Sequence, residues 1–176
     1  LEYSIRRFTL SEKSTRERAI AKPNEGVGIT RYLLYKRAWQ RINEAESAGF
    51  HLEAIALLES VLSDRMESRA SFLSGTNIGF KTLERLLKEL RARETVTEFL
   101  NVLERIEAWK DHRNSSLHEM VKFQTGMKPT WEEKQGPLGE LVSDGKALVR
   151  EFDSIDKRER LAPDCIWHAC LCVRRN

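Results

Sequence analysis

The 176-residue sequence predicts an all-α fold, an antiparallel up-and-down bundle of about five helices. Three observations predict it. Apolar residues recur at helical spacing in several separate stretches. Only 4 prolines and 9 glycines interrupt the chain. No stretch shows the period-two alternation with hairpin turns that marks strands. Short connections between long amphipathic helices then favour antiparallel neighbours.

The elements follow in order. Residues 1–28 form a basic arm of weak periodicity that runs through a Pro-Asn-Glu-Gly turn signal at 23–26. Residues 29–158 form the bundle, and 159–176 a cysteine-containing tail. A helix over 30–48 carries Tyr32, Leu33, Tyr35, Trp39 and Ile42 and stops at Gly49. The clearest helix spans 51–73, with Ala54, Leu57, Leu58, Val61, Leu62, Met66 and Leu73 at helical spacing. Shorter helices are expected over 81–92 and 94–112. Residues 117–124 continue apolar after a break. A long loop, "QTGMKPTWEEKQGPLG", leads to a last helix over 138–157.

Composition limits the function classes. Charged residues make up 32% of the chain and apolar residues 40%, as in a charge-rich helical protein. No apolar run approaches a membrane span, and no leader pattern opens the sequence, so a cytoplasmic protein without membrane contact is expected. Cys165, Cys170 and Cys172 are odd in number and clustered, which is not a disulfide framework. With His168 they give C-x2-H-x-C-x-C, which lacks the paired spacing of a zinc site, so neither metal nor cofactor is expected. There is no phosphate-binding or dinucleotide glycine loop, and no carboxylate cluster for two-metal chemistry. The net charge of +3 is uneven. Residues 1–31 hold seven Lys/Arg against four Glu and residues 157–176 five against two, which leaves the middle mildly acidic. The basic ends serve either as solvated tails or as a footprint for nucleic acid.

One stretch concentrates polar chemistry: "DHRNSSLHEM", residues 111–120. Ser116 and Glu119 fit a capping box, and Asn114 and Ser115 are good cap residues. The expectation is a helix that breaks near 113–116, with a new one beginning there. A helix N-terminus offers free N–H groups to a phosphate. Arg113 could fork onto its oxygens, Asn114 could hydrogen-bond there, and His118 could move a proton. The alternative is a solvated helix end with ordinary caps.

Arg113-Asn114-Ser115-Ser116-Leu117-His118 resembles the motif of the HEPN family: an arginine, often followed by a polar residue, then histidine after four to six residues. The resemblance covers roughly residues 30–157 and implies a HEPN-like bundle. It implies a metal-independent endoribonuclease whose motif sits at the start of a late helix. It also implies a homodimer in which two motifs line one cleft, and a role as a toxin or abortive-infection effector with an antitoxin or regulatory protein. Arg113, Asn114 and His118 would then be catalytic. Arg105 and His112, with six residues between them, also fit the bare spacing but read as a polar helix face. Met120 stands where relatives silenced by adenylylation often carry tyrosine, so the resemblance does not extend to that mode of control.

For RNA contact the candidates are Lys122, Lys128, Trp131 and Lys134, by charge and stacking. Arg65 and Arg69 lie at the edge of the buried stripe of their helix. They either snorkel, with their stems covering apolar surface, or face an anionic ligand such as RNA. Trp131 could instead be a lid on its own core, and His51 reads as a surface residue at a helix start. The rival to the enzyme is a non-catalytic helical interaction or nucleotide-binding module.

Overall fold

The structure is a computed structural model that describes residues 26–122 and 125–161. Among these residues there are five helices and no strand: α1 Val27–Ser47, α2 His51–Ser74, α3 Leu83–Arg93, α4 Thr97–Glu119 and α5 Trp131–Leu161. The all-α bundle expected from the periodicity is therefore present. Most of the predicted arm, and the tail with Cys165, His168, Cys170 and Cys172, lie outside the described residues.

Chain-sequential long helices run antiparallel, as expected. On α4 and α5, Trp109 donates to the Leu141 carbonyl at 2.8 Å while Arg105, earlier on α4, meets Glu151, later on α5, at 2.6 Å; on α1 and α2, Arg41 near the end of the first meets Glu53 at the start of the second at 2.8 Å. The most extensive packing, between α2 and α5, is parallel. Contacts climb both helices together: Gly145 beside Leu58, Asp153 3.0 Å from Arg65, Asp156 3.5 Å from Arg69. These two helices bury apolar residues on broad faces, among them Leu58, Leu62, Met66, Val142, Val149 and Phe152. α4 closes the core with Phe99, Val102, Leu103, Ile106 and Trp109, and Phe99 meets Phe152 edge-on at 5.2 Å.

One charged pair lies inside this core. Arg69 donates from Nε and Nη2 to the two carboxylate oxygens of Glu94, at 2.9 and 3.1 Å. The guanidinium also stacks on the Phe99 ring at 4.3 Å. Glu94 Oε1 accepts in addition from the backbone N–H of Thr95 and of Val96, at 3.1 and 3.2 Å. The pair thus satisfies donors in the turn that opens α4. Arg69 is consumed by this network and offers nothing to RNA, so the nucleic-acid assignment fails for it. Arg65 is half-buried, stacked over Tyr35 at 4.0 Å and paired with Asp153.

Two boundaries differ from the sequence reading. α4 passes through 113–116 without a break and runs on to Glu119, so 117–119 belong to it rather than to a new helix. Its would-be caps are satisfied along the helix: Ser115 Oγ bonds Glu119 Oε1 at 3.1 Å, and Asn114 Oδ1 accepts from Arg113 Nη2 at 2.8 Å. α5 begins at Trp131, not 138, and carries Pro137 inside it. A reciprocal capping box starts it. Thr130 N–H donates to Glu133 Oε2 at 2.8 Å, and Glu133 N–H to Thr130 Oγ1 at 3.2 Å. The box offsets the carbonyl that Pro137 leaves without a helical donor.

Two outcomes are expected from this core. Glu94→Ala leaves a buried guanidinium with only the longer 3.5 Å contact to Asp156 and should cost about 3–5 kcal/mol in urea unfolding. Replacing Arg69 and Glu94 together by Met and Leu should restore most of that loss. The second outcome concerns Asp153. Burial raises its carboxyl above the ordinary 3.8, Arg65 opposes the shift and Asp156 adds to it. The folded state therefore binds this proton more readily than the unfolded chain, and stability falls as pH rises from about 4 through the raised value. In unfolding midpoints taken across that window, Asp153→Asn should lose less stability than wild type.

Candidate functional site

The motif residues and the candidates of the α4–α5 connection gather at the end of the bundle where α4 finishes and α2 and α5 begin, away from Arg65 and Arg69. Arg113 is buried, with 8% of its surface exposed, although it belongs to the polar motif. The α4 register turns it inward toward α2, where it pairs with Glu59. Its guanidinium lies 5.8 Å from the Trp109 ring, one helical turn earlier. Nη2 donates to Asn114 Oδ1 at 2.8 Å, while Nε finds no hydrogen-bond partner among the described residues. The arginine thus keeps one donor unspent while most of its charge is matched by Glu59.

Trp109 is the platform beneath it. Indole Nε1 donates to the Leu141 carbonyl on α5 at 2.8 Å. The ring lies flush with Gly145, where an added Cβ would meet Trp109 Cζ2 and Leu58 Cδ1, each at 3.1 Å. A glycine in mid-helix is weak for helix formation, but here it lets α2 and α4 approach α5.

His118 occupies the last turn of α4 and is exposed. The unbroken helix sets it five residues from Arg113, about 140° around the cylinder and about 7.5 Å along it. The two side chains therefore leave different faces. The expected helix N-terminus at 113–116 is absent, and His118 stands at a C-terminus, whose dipole end disfavours phosphate. The structure unites Arg113 with Asn114 and leaves His118 apart from them within one chain.

The other candidates divide. Lys122, Lys128 and Trp131 are exposed around the α4–α5 connection. Trp131 is 51% exposed, so it is no lid on the core. Lys134 is engaged instead: its ammonium donates to the carbonyls of Glu119 and Lys122, at 3.1 and 2.7 Å, capping the end of α4. Arg105 forms an inter-helix pair with Glu151 at 2.6 Å, in keeping with a polar face. Met120 is half-buried against the core. Among the described residues no group of three His, Cys, Asp or Glu could hold a metal ion.

Two residues at this end escaped the sequence reading. Glu59 sits on the polar side of α2, and no local spacing connects it to Arg113. His51 was expected at the surface, yet its ring lies over Gly139, 3.4 Å from the position of a Cβ there. His51 Nδ1 is buried without a partner among the described residues. The proline- and glycine-rich stretch that α5 absorbs hid this contact.

Gly145→Ala tests the platform. The substitution gains about 1 kcal/mol in helix propensity and loses about 1–3 kcal/mol to overpacking. Because the indole is held by its hydrogen bond, clash should dominate. A lower unfolding midpoint is expected, with larger losses for Gly145→Val.

Comparison of the chain with protein-family models, with curated proteins and with solved structures finds no match. The HEPN resemblance therefore rests on Arg113, Asn114 and His118 and on the helical setting around them.

Proposed function

We propose that this chain is a metal-independent endoribonuclease of HEPN type, a toxin or defence effector whose site is completed across a homodimer. The observation that carries this reading is the end of α4: a buried arginine tied to its neighbouring asparagine, with an exposed histidine in the last two turns. A buried guanidinium costs stability that an apolar residue would not, and a use for its charge accounts for its presence. Arg113 would stabilise phosphate charge in the transition state, with Asn114 orienting it. His118 would take the proton from the ribose 2′-hydroxyl or give one to the leaving oxygen.

Because Arg113 and His118 leave different faces of α4, the histidine that works with one arginine would come from a second copy. Exposed Leu117, Val121, Met127 and Trp131 at the same end give apolar surface for that pairing. Lys122 and Lys128 add exposed charge for the RNA backbone. An antitoxin or regulatory protein would cover this end.

A second reading has its own observation, since Glu59 already neutralises Arg113. In that reading the bundle is a non-catalytic interaction or nucleotide-binding module, and the pair only closes the fold.

The test is incubation of the protein with single-stranded and structured RNA in excess EDTA. Cleavage should leave 2′,3′-cyclic phosphate ends and spare DNA. His118→Ala should lose about 10²–10⁴ in rate, Arg113→Ala a similar amount, and His112→Ala little. RNA left intact by wild type and by Glu59→Gln alike would favour the binding module. Cleavage that survives His118→Ala would move the site elsewhere.

A further inference from the structure

A groove of about 450 Å³ opens between α1 and α2, on another face of α2 from Glu59. Its walls include Val27, Leu34 and Ala38 of α1, Val61 and Asp64 of α2, and Phe80 from the α2–α3 connection. Leu34 is 63% and Phe80 60% exposed, although both point along an apolar trough. The first turns of α1 are apolar nearly all round. Ile29, Tyr32 and Leu33 are also half or more exposed, and Arg31 is the one charged residue between Val27 and Tyr35. A helix of that pattern belongs under cover on more than one side. Among the described elements, α1 packs chiefly on α2.

We infer that the groove is the docking site of the chain's own N-terminal segment, residues 1–25. The place where the segment joins the fold argues for it. The chain enters α1 through Gly26, whose φ of +67° turns the backbone sharply, and the next residue, Val27, is the first of the groove wall. The segment is therefore tethered at the mouth of the groove, at the high effective concentration that a short link gives.

Length argues for it too. The α1 wall from Val27 to Ala38 is about 16 Å long at 1.5 Å per residue. Ten extended residues reach about 33–36 Å, so the segment can reverse through Pro23-Asn24-Glu25-Gly26 and still line the whole trough. Its sequence supplies the filling. Leu1, Tyr3, Ile5, Phe8 and Leu10 put five large apolar side chains into its first ten residues. Docking closes a fold whose two-helix edge is otherwise thin, and it is independent of any reaction at the end of α4.

Hydrogen exchange on the full chain tests this, read by mass at two protein concentrations tenfold apart. Amides of residues 1–22 should exchange more slowly than in a free peptide of that sequence, equally at both concentrations. Leu34→Glu on the wall and Phe8→Glu in the segment should each speed that exchange by about ten-fold or more. Far-UV circular dichroism should report unchanged helix for both. Phe8→Glu keeps the test decisive should Leu34→Glu unfold α1. Free-peptide exchange in the wild-type segment overturns the proposal. So does protection that falls on dilution as light scattering reports a halved mass, because the groove is then covered by a second copy.

Discussion

The bidentate pair of Arg69 with Glu94 ties together more of this molecule than any other contact. A guanidinium inside a helical core is tolerable only if its donors are met and its face is covered. Both conditions are fulfilled from different elements: Glu94 from the end of α3, Asp156 from α5, Phe99 from α4. The carboxylate in turn holds the N–H groups of Thr95 and Val96, which fixes the angle at which α4 leaves α3. Everything later in α4 inherits that angle, including the register that turns Arg113 inward. An apolar pair would fill the same volume and recover most of the stability lost when one partner alone is removed, but it would not satisfy those backbone donors.

Arg69 and Arg113 are related by environment rather than by sequence. Each is a buried arginine with a carboxylate across from it and an aromatic ring beside it. They differ in what remains. Arg69 has both forks occupied and lies deep in the core. Arg113 keeps Nε unpartnered among the described residues and lies two turns from the end of its helix. The first arrangement can only hold structure. The second has a donor to spare and an exit nearby, and this difference supports giving Arg113, and not Arg69, a chemical role.

The helices were legible in the sequence because their apolar spacing is long and regular. Leu58, Leu62 and Met66, or Val142, Val149 and Phe152, leave little choice of period. What was not legible lies at points of competition. Asn114, Ser115 and Ser116 have the composition of a cap, but their side chains found partners along the helix, so continuity won. Pro137 and three glycines speak for a loop, but a Thr130–Glu133 box and buried Leu138 speak for a helix, and the helix wins. Arg65 lies at the edge of the buried stripe as its spacing predicts, Arg69 lies inside the core, and the destination of both charges depends on Glu94, Asp153 and Asp156, far away in the chain. The candidate site was half legible for the same reason. Its motif residues are consecutive, whereas Glu59 and the Trp109 platform become neighbours only once α2, α4 and α5 are packed.

The Lys134 clasp bears on how costly it is to bind anything at the α4–α5 connection. One ammonium grips two carbonyls at the end of α4, and the capping box fixes Thr130 on the other side. Both ends of the connection are thereby anchored. Ordering backbone costs about 1–2 kcal/mol per residue. Holding both ends in the folded state lets Met127 and Lys128 be presented with part of that entropic loss already incurred in folding.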